Sequence, residues 1–253
     1  DMWRLSLQDI AVRYGQKTVL DGVSAQFSGG EMAGVIGSNG VGKSTLLKAV
    51  AGLLPHTGSA LLREDSGEVG TRRDIAYVPQ LGAMNPRLTV FEMVLLGLIG
   101  SLGWRVTPEQ AAQVEEVLEE LGLSAIARQP FSTLSGGQRQ LVTMAQSLIG
   151  RPKVLLLDEP TSALDLRHQL IVMNLAQDYT RKTGAITLFV AHDLTLTSRY
   201  GDRILLLQGG KVRAFDSPQE VLRPEPLEEV YQVGVSLQAT QMGFLSVIPT
   251  KPL

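Results

Sequence analysis

No cysteine occurs in the 253 residues. That removes disulfides, thiol nucleophiles and thiolate metal sites together, and it fits a reducing compartment. An excess of one charge is missing too: 23 Lys and Arg against 25 Asp and Glu leave a net charge of −2. With no general basic field, nucleic acid is not suggested as the main partner. Long apolar runs are also absent. The nearest is the stretch from Met93 to Trp104, uncharged but only about a dozen residues and carrying Gly97, Gly100 and Gly103. It falls well short of the ~20 residues that a spanning helix needs, so a buried or partner-facing helix is expected. Asp1 to Tyr14 mixes charges with apolar residues, and no secretory signal is expected there. What remains is ordinary globular material, 44% hydrophobic and 19% charged, enough for one large domain or two small ones with a substantial core.

Against that background one stretch stands out: Gly37-Ser38-Asn39-Gly40-Val41-Gly42-Lys43-Ser44. It reads G-x-x-x-x-G-K-S, with an apolar run over Met32–Ile36 before it and a leucine-rich helical pattern from Thr45 to Leu54 after it. Strand, glycine loop and helix are the context that a phosphate-binding loop requires. The glycines let successive N–H groups converge on phosphate oxygens, and the helix adds the positive end of its dipole. Lys43 offers a point charge to the β- and γ-phosphates, and the Ser44 hydroxyl can ligand Mg²⁺. The loop alone predicts nucleotide binding without saying which class of NTPase.

The opening of the chain alternates with period two: Trp3, Leu5, Leu7, then Ile10, Val12, Tyr14, a turn at Gly15-Gln16, and Leu20, Val23, Ala25, Phe27. This predicts an antiparallel, half-buried sheet. Residues 58–62 and 75–78 read as further strands across a charged, exposed turn. From about residue 89 to 149 the period becomes helical. Thr107-Pro108-Glu109 is a helix start with Thr as cap and Pro at the first position, Gly122 ends that helix, and a second begins at Ser135-Gly136-Gly137. Residues 154–157 are a continuous apolar run of the kind found in parallel strands buried on both faces; residues 186–191 and 204–207 read as two more buried strands, with residues 164–180 helical between the first two. The alternation implies an α/β core with right-handed crossovers. A short helix is expected around residues 219–222, followed by a tail with no legible role.

Asp158 falls at the C-terminal end of a buried strand, where ligands bind in open α/β sheets; it is the natural partner of a Mg²⁺ held by Ser44. Glu159 follows, placed to polarise an attacking water. Leu134-Ser135-Gly136-Gly137-Gln138 is the most discriminating segment. Two glycines at a helix start lower helix propensity, and their bare N–H groups with the Ser135 hydroxyl make a second anion site. Either one chain binds two phosphates, or the second surface serves another copy.

In order along the chain, residues 37–44, Gln80, 134–138, 154–159, 162–165 and His192 resemble the motif set of ABC-transporter ATPase subunits, over roughly residues 3 to 225. The resemblance implies a P-loop NTPase (RecA-like) α/β core with an antiparallel β subdomain and an inserted α-helical subdomain. All 253 residues then form a single ABC ATPase domain. Its parts are 1–80 (β subdomain plus the phosphate-loop part of the core), 81–150 (helical subdomain with the signature segment), 151–225 (remainder of the core) and 226–253 (C-terminal tail). By the same resemblance Tyr14 stacks on adenine, and Thr45 joins residues 37–44 around the nucleotide. Gln80 touches Mg²⁺ and reports to the membrane subunit, Asp165 belongs to the loop crossing to the partner, and His192 contacts the γ-phosphate. Read alone, His192 is structural; His56 and His168 have no such place. Such subunits pair head to tail, so ATP lies between one copy's Lys43 loop and the other's Ser135-Gly136-Gly137, and hydrolysis at Glu159 lets the pair open.

Fused membrane helices, as in many efflux pumps, and the tandem domains of translation-factor relatives are not seen here. The resemblance therefore implies a separate ATPase subunit of a bacterial importer, at the cytoplasmic face of the membrane, working with polytopic permease subunits and indirectly with a substrate-binding protein. Leu164-Asp165-Leu166-Arg167-His168-Gln169 is similar to importers of iron chelates, haem, cobalamin and, in some members, molybdate; zinc and manganese importers are close neighbours. The chain departs from iron-chelate importers at Gly97-Leu98-Ile99-Gly100, where they commonly carry a more basic stretch. A soluble, non-transport ABC ATPase is the alternative. Residues 81–104, with Met84, Leu88, Phe91, Met93, Leu95, Leu96 and Leu98, are expected either to pack in the small-subdomain core or to form part of a groove receiving a permease helix.

Overall fold

The computed structural model describes residues 1–80, 85 and 87–253. Strands β1 (Trp3–Tyr14) and β2 (Lys17–Ser28) form a hairpin, followed by β3 (Met32–Ile36), α1 (Lys43–Val50), β4 (Thr57–Glu64) and β5 (Ile75–Val78). Helices α2 (Val90–Leu95), α3 (Pro108–Glu120) and α4 (Gly136–Ile149) come next, then β6 (Val154–Asp158), α5 (Leu166–Thr183), β7 (Ile186–Val190) and α6 (Leu194–Tyr200). The chain closes with β8 (Arg203–Gln208), β9 (Lys211–Asp216), α7 (Pro218–Val221), α8 (Pro224–Tyr231), β10 (Val233–Ala239) and β11 (Leu245–Pro252).

Six strands form the central sheet in the order β5-β6-β7-β3-β8-β9, all parallel except β9. The inner strands β3, β6 and β7 are buried on both faces because both are covered. In β6, Val154 and Leu156 join one core while Leu155 and Leu157 join the other; in β7, Ile186, Leu188 and Val190 face opposite to Phe189. One side packs on α1 and the antiparallel sheet β2-β1-β4, the other on the α2–α4 layer. Truncating any of these leucines to alanine is expected to cost about 2–5 kcal/mol.

The alternation in β1 skips a beat between Leu7 and Ile10, and the structure explains it. The register shifts there, Asp9 takes φ 50°, and its amide is held by Ser24 Oγ at 2.9 Å. A β-bulge resets the phase so that both halves of the strand bury their apolar side. Helix α1 stops at Val50, short of the Leu54 suggested by its leucines. Gly52 N–H donates to Ala49 O and Leu53 N–H to Lys48 O, the paired bonds of a Schellman stop. At Thr107 and Ser135 both expected helix starts form with complete capping boxes, side chain to the third amide and back.

The expected tail is ordered structure. Val221, Leu222, Leu227 and Val230 pack against Ile36, Ile204 and Leu206, so α7 and α8 cover the remaining part of one sheet face, and the β10–β11 hairpin follows. Beyond Gln80, Val90, Met93 and Val94 are buried, with Leu88, Phe91, Leu95, Leu96 and Leu98 packed against the same core. Core packing therefore accounts for most of that apolar stretch, while Ile99 (69% exposed) and Trp104 (fully exposed) stay outside it. Met84 lies outside the described residues. Among the described residues no helix is long and apolar enough to cross a membrane.

Candidate functional site

The sheet order places the C-terminal ends of β6, β7 and β3 side by side, and the loops leaving them carry Asp158-Glu159, His192 and residues 37–44. Gly37 is bent to φ +154°, and a Cβ there would lie 2.7 Å from Leu207 O and 2.7 Å from Val41 Cγ1. Only glycine fits. Both of its backbone polar groups are held: the N–H donates to Tyr231 Oη at 2.9 Å, and the carbonyl accepts from Lys43 Nζ at 2.7 Å. Lys43 opens α1 and is buried. Burial lowers the pKa of its ammonium, opposed by the charges of Glu159 and then Asp158.

The Ser44 hydroxyl donates to Asp158 Oδ1 at 2.9 Å, and the Tyr77 hydroxyl donates to Oδ2 at 2.9 Å. The two oxygens of this buried carboxylate are thus divided between two donors. Burial raises the Tyr77 phenol above its ordinary pKa, helped by its bond to Asp158 and that group's charge, so it stays a donor at neutral pH. A hydroxyl and one carboxylate meeting in this way are hard oxygen donors, the set that Mg²⁺ takes when phosphates and water supply the rest. No cluster of three His, Cys, Asp or Glu is found among the described residues, so the donors do not resemble an all-protein metal cage. Gln80 donates to Ser162 Oγ at 3.2 Å, which ties it to the loop after Glu159.

Glu159 has φ +50°, and its N–H donates to Val190 O at 3.0 Å, pinning the strained residue to the neighbouring strand. Its side chain is 12% exposed, with Oε1 2.6 Å from His192 Nε2, while His192 is about half exposed. A near-buried carboxylate against an exposed imidazole can take a proton from a water molecule and be held in place while doing so. Tyr14 sits at the end of β1, 54% exposed, as a side chain offered to a flat ring requires. Ser38, Asn39, Gly40, Val41, Gly42 and Thr45 complete the loop and the first turn of α1.

The 134–138 segment builds the start of α4. Ser135 Oγ accepts from Gln138 N–H at 3.2 Å, and Gln138 Oε1 accepts from Ser135 N–H at 3.0 Å. The Gly136 and Gly137 amides belong to the first turn, where N–H groups have no intrahelical partner, and Ser135 and Gly136 are exposed. Asp165 caps α5: Oδ1 accepts from His168 N–H at 2.8 Å and lies 2.8 Å from His168 Nδ1. These bonds lower the Asp165 pKa, the backbone bond most.

Three side chains were not singled out by the sequence. Tyr77 sits three positions before Gln80 in β5, next to β6, and parallel pairing of a tyrosine strand with the Asp158 strand is the signal that would have found it. His168 lies three residues after Asp165; its ring fills the space over Gly137, where a Cβ would come within 2.3 Å of Cδ2. One imidazole therefore joins the 162–165 loop to the 134–138 segment. Tyr231 has no sequence signal at all.

A profile described as "ABC transporter" matches residues 20–162. The hemin import ATP-binding protein HmuV of Mesorhizobium japonicum is 36% identical, covering 95% of this chain and 97% of that protein. HmuV of Pseudomonas aeruginosa is 41% identical over 92% and 94% respectively. Among solved structures, a chain of a metal-chelate type ABC transporter in an inward-facing conformation superposes with a TM-score of 0.87 at 28% identity, covering 98% of this chain and 97% of that one.

Proposed function

The chain belongs to the ABC transporter ATP-binding family, and we propose that it hydrolyses ATP as a head-to-tail pair to drive import of a metal chelate of the haem type through separate membrane subunits. The observation that carries the ATPase reading is the meeting of Lys43, Ser44, Asp158 and the Glu159–His192 pair at three adjacent strand ends. The substrate class rests on the hemin import relatives.

In this reading the 37–44 amides and Lys43 cradle the phosphates, replacing the Lys43 bond to Gly37 O with a bond to a phosphate oxygen. Ser44 and Asp158 would hold Mg²⁺, with Gln80 beside them, and the cation would neutralise charge on the β- and γ-phosphates. Glu159 takes the proton of the attacking water as its oxygen bonds to the γ-phosphorus, and the bridging oxygen leaves with ADP. His192 steadies Glu159 and faces the γ-phosphate. Tyr14 stacks on the base. The partner's Ser135, Gly136, Gly137 and Gln138 close over the nucleotide, and Asp165 lies at that junction.

The permease is expected to engage the helical layer, where Ile99 and Trp104 stand exposed near the partly buried α2, with the ATPase pair itself peripheral, at the cytoplasmic membrane face. The test is co-purification with a polytopic membrane protein, followed by ATP-driven haem uptake into proteoliposomes carrying the assembled complex. ATPase activity with no membrane partner and no uptake would favour the soluble alternative and sink the importer.

A further inference from the structure

Residues 218–253 lie outside the matched profile, yet they reach the phosphate loop. Tyr231 ends α8, just before Gln232 turns the chain with φ 56°. Its ring packs against the core formed by α7, α8 and the β8 side of the sheet, and its hydroxyl accepts the Gly37 N–H at 2.9 Å. Burial pushes that hydroxyl up to about 12, so it is neutral at physiological pH. The same unit is fastened to α6, the helix after His192: Leu245 N–H donates to Ser198 Oγ at 2.8 Å and Val247 N–H to Thr195 Oγ1 at 2.9 Å.

Gly37 cannot be fixed by a side chain of its own, because no Cβ fits there. Its orientation depends on what holds its N–H and C=O. The carbonyl's partner is the Lys43 ammonium, the very group that must leave it to meet a phosphate. The Tyr231 bond is then the tether that does not have to break when nucleotide binds.

We propose that Tyr231 is a positioning residue for the phosphate loop, and that the C-terminal unit thereby sets nucleotide affinity. The inference rests on the phosphate-loop reading of residues 37–44. With the hydroxyl gone, the peptide is free to reorient, and nucleotide must restore its geometry on binding.

The test compares two single-atom changes at the attachments of this unit, Tyr231→Phe and Thr195→Val, by calorimetric titration with ADP and by steady-state ATPase assay on the full chain. Tyr231→Phe is expected to raise the ADP Kd and the ATP KM roughly fivefold, the worth of one neutral hydrogen bond, with kcat little changed. Thr195→Val removes the acceptor of one β11 bond and is expected to lower Tm while leaving Kd within about twofold, below half of one such bond. Equal rises in Kd for both variants would make the effect general loosening and overturn the proposal, as would an unchanged Kd in Tyr231→Phe. If Tyr231→Phe does not fold, amide exchange in the wild type decides: a Gly37 N–H exchanging as fast as an open loop refutes the tether, and slow exchange supports it. Failure of the wild type to bind ADP would instead remove the phosphate-loop reading beneath it.

Discussion

Tyr77→Phe deletes one oxygen and leaves the ring, so it isolates the bond to Asp158 Oδ2. The acceptor is a carboxylate only 5% exposed, and hydrogen bonds to charged groups contribute about 1.5–3 kcal/mol. Taking about 2 kcal/mol, a chain of this size should lose roughly 4–8 °C in Tm. The remaining Ser44 bond holds only one carboxylate oxygen, so the group can rotate. We expect the Mg²⁺ concentration for half-maximal ATPase activity to rise by roughly threefold to tenfold, about 1 kcal/mol of lost orientation. The pH dependence follows from the raised Tyr77 pKa. A donor whose folded pKa lies above its unfolded value near 10 contributes fully below that value and is lost only as pH climbs past it. The Tm difference between wild type and variant should therefore stay constant across neutral pH and shrink only in strong alkali. Differential scanning calorimetry and a Mg²⁺ titration of turnover are the assays. A variant with wild-type Tm and wild-type Mg²⁺ dependence would refute the claim that Tyr77 orients Asp158.

Glu159→Gln should retain ATP binding, lose turnover by at least 10² as expected for removal of a general base, and accumulate as an ATP-bound dimer in light scattering; normal turnover would remove Glu159 from that role. Ser135→Arg should bind ATP normally yet stop hydrolysis, because the damage falls on the partner's site; lost binding by the isolated chain would place the whole site in one copy. Gly137→Ala forces a Cβ to within 2.3 Å of the His168 ring and should cost about 1–3 kcal/mol as overpacking. Adding His168→Ala should recover most of the lost Tm, and a double mutant no more stable than Gly137→Ala would show that the imidazole is not what fills the space.

Much of this architecture could be read directly. Period-two residues in β1 and β2, the apolar run in β6 and the largely apolar one in β7, and the capped starts at Thr107 and Ser135 each carry a local physical signature, and each formed. The phosphate loop, Asp158 and Glu159 were legible as candidates because the chemistry proposed for them constrains residue type and spacing. What escaped was long-range. The bond from Tyr77 to Asp158 spans 81 positions and that from Tyr231 to Gly37 spans 194; a tyrosine in either place looks like ordinary packing until the sheet order is known. His168 was passed over because its significance lies in the shape it fills over Gly137. The C-terminal hairpin has little period-two burial of its own, with β11 running from half-buried to exposed, so its register depends on α6 and α8.

The backbone of Glu159 carries a lesson for anyone who would engineer this protein. At φ +50° a glycine or asparagine is more at ease than glutamate, so a search guided only by melting temperature would be drawn to this position. It would be rewarded there with a sturdier protein that has lost its carboxylate. If Glu159 is the base we propose, position 159 is one where durability and work are opposed, and a thermostability library should hold it fixed.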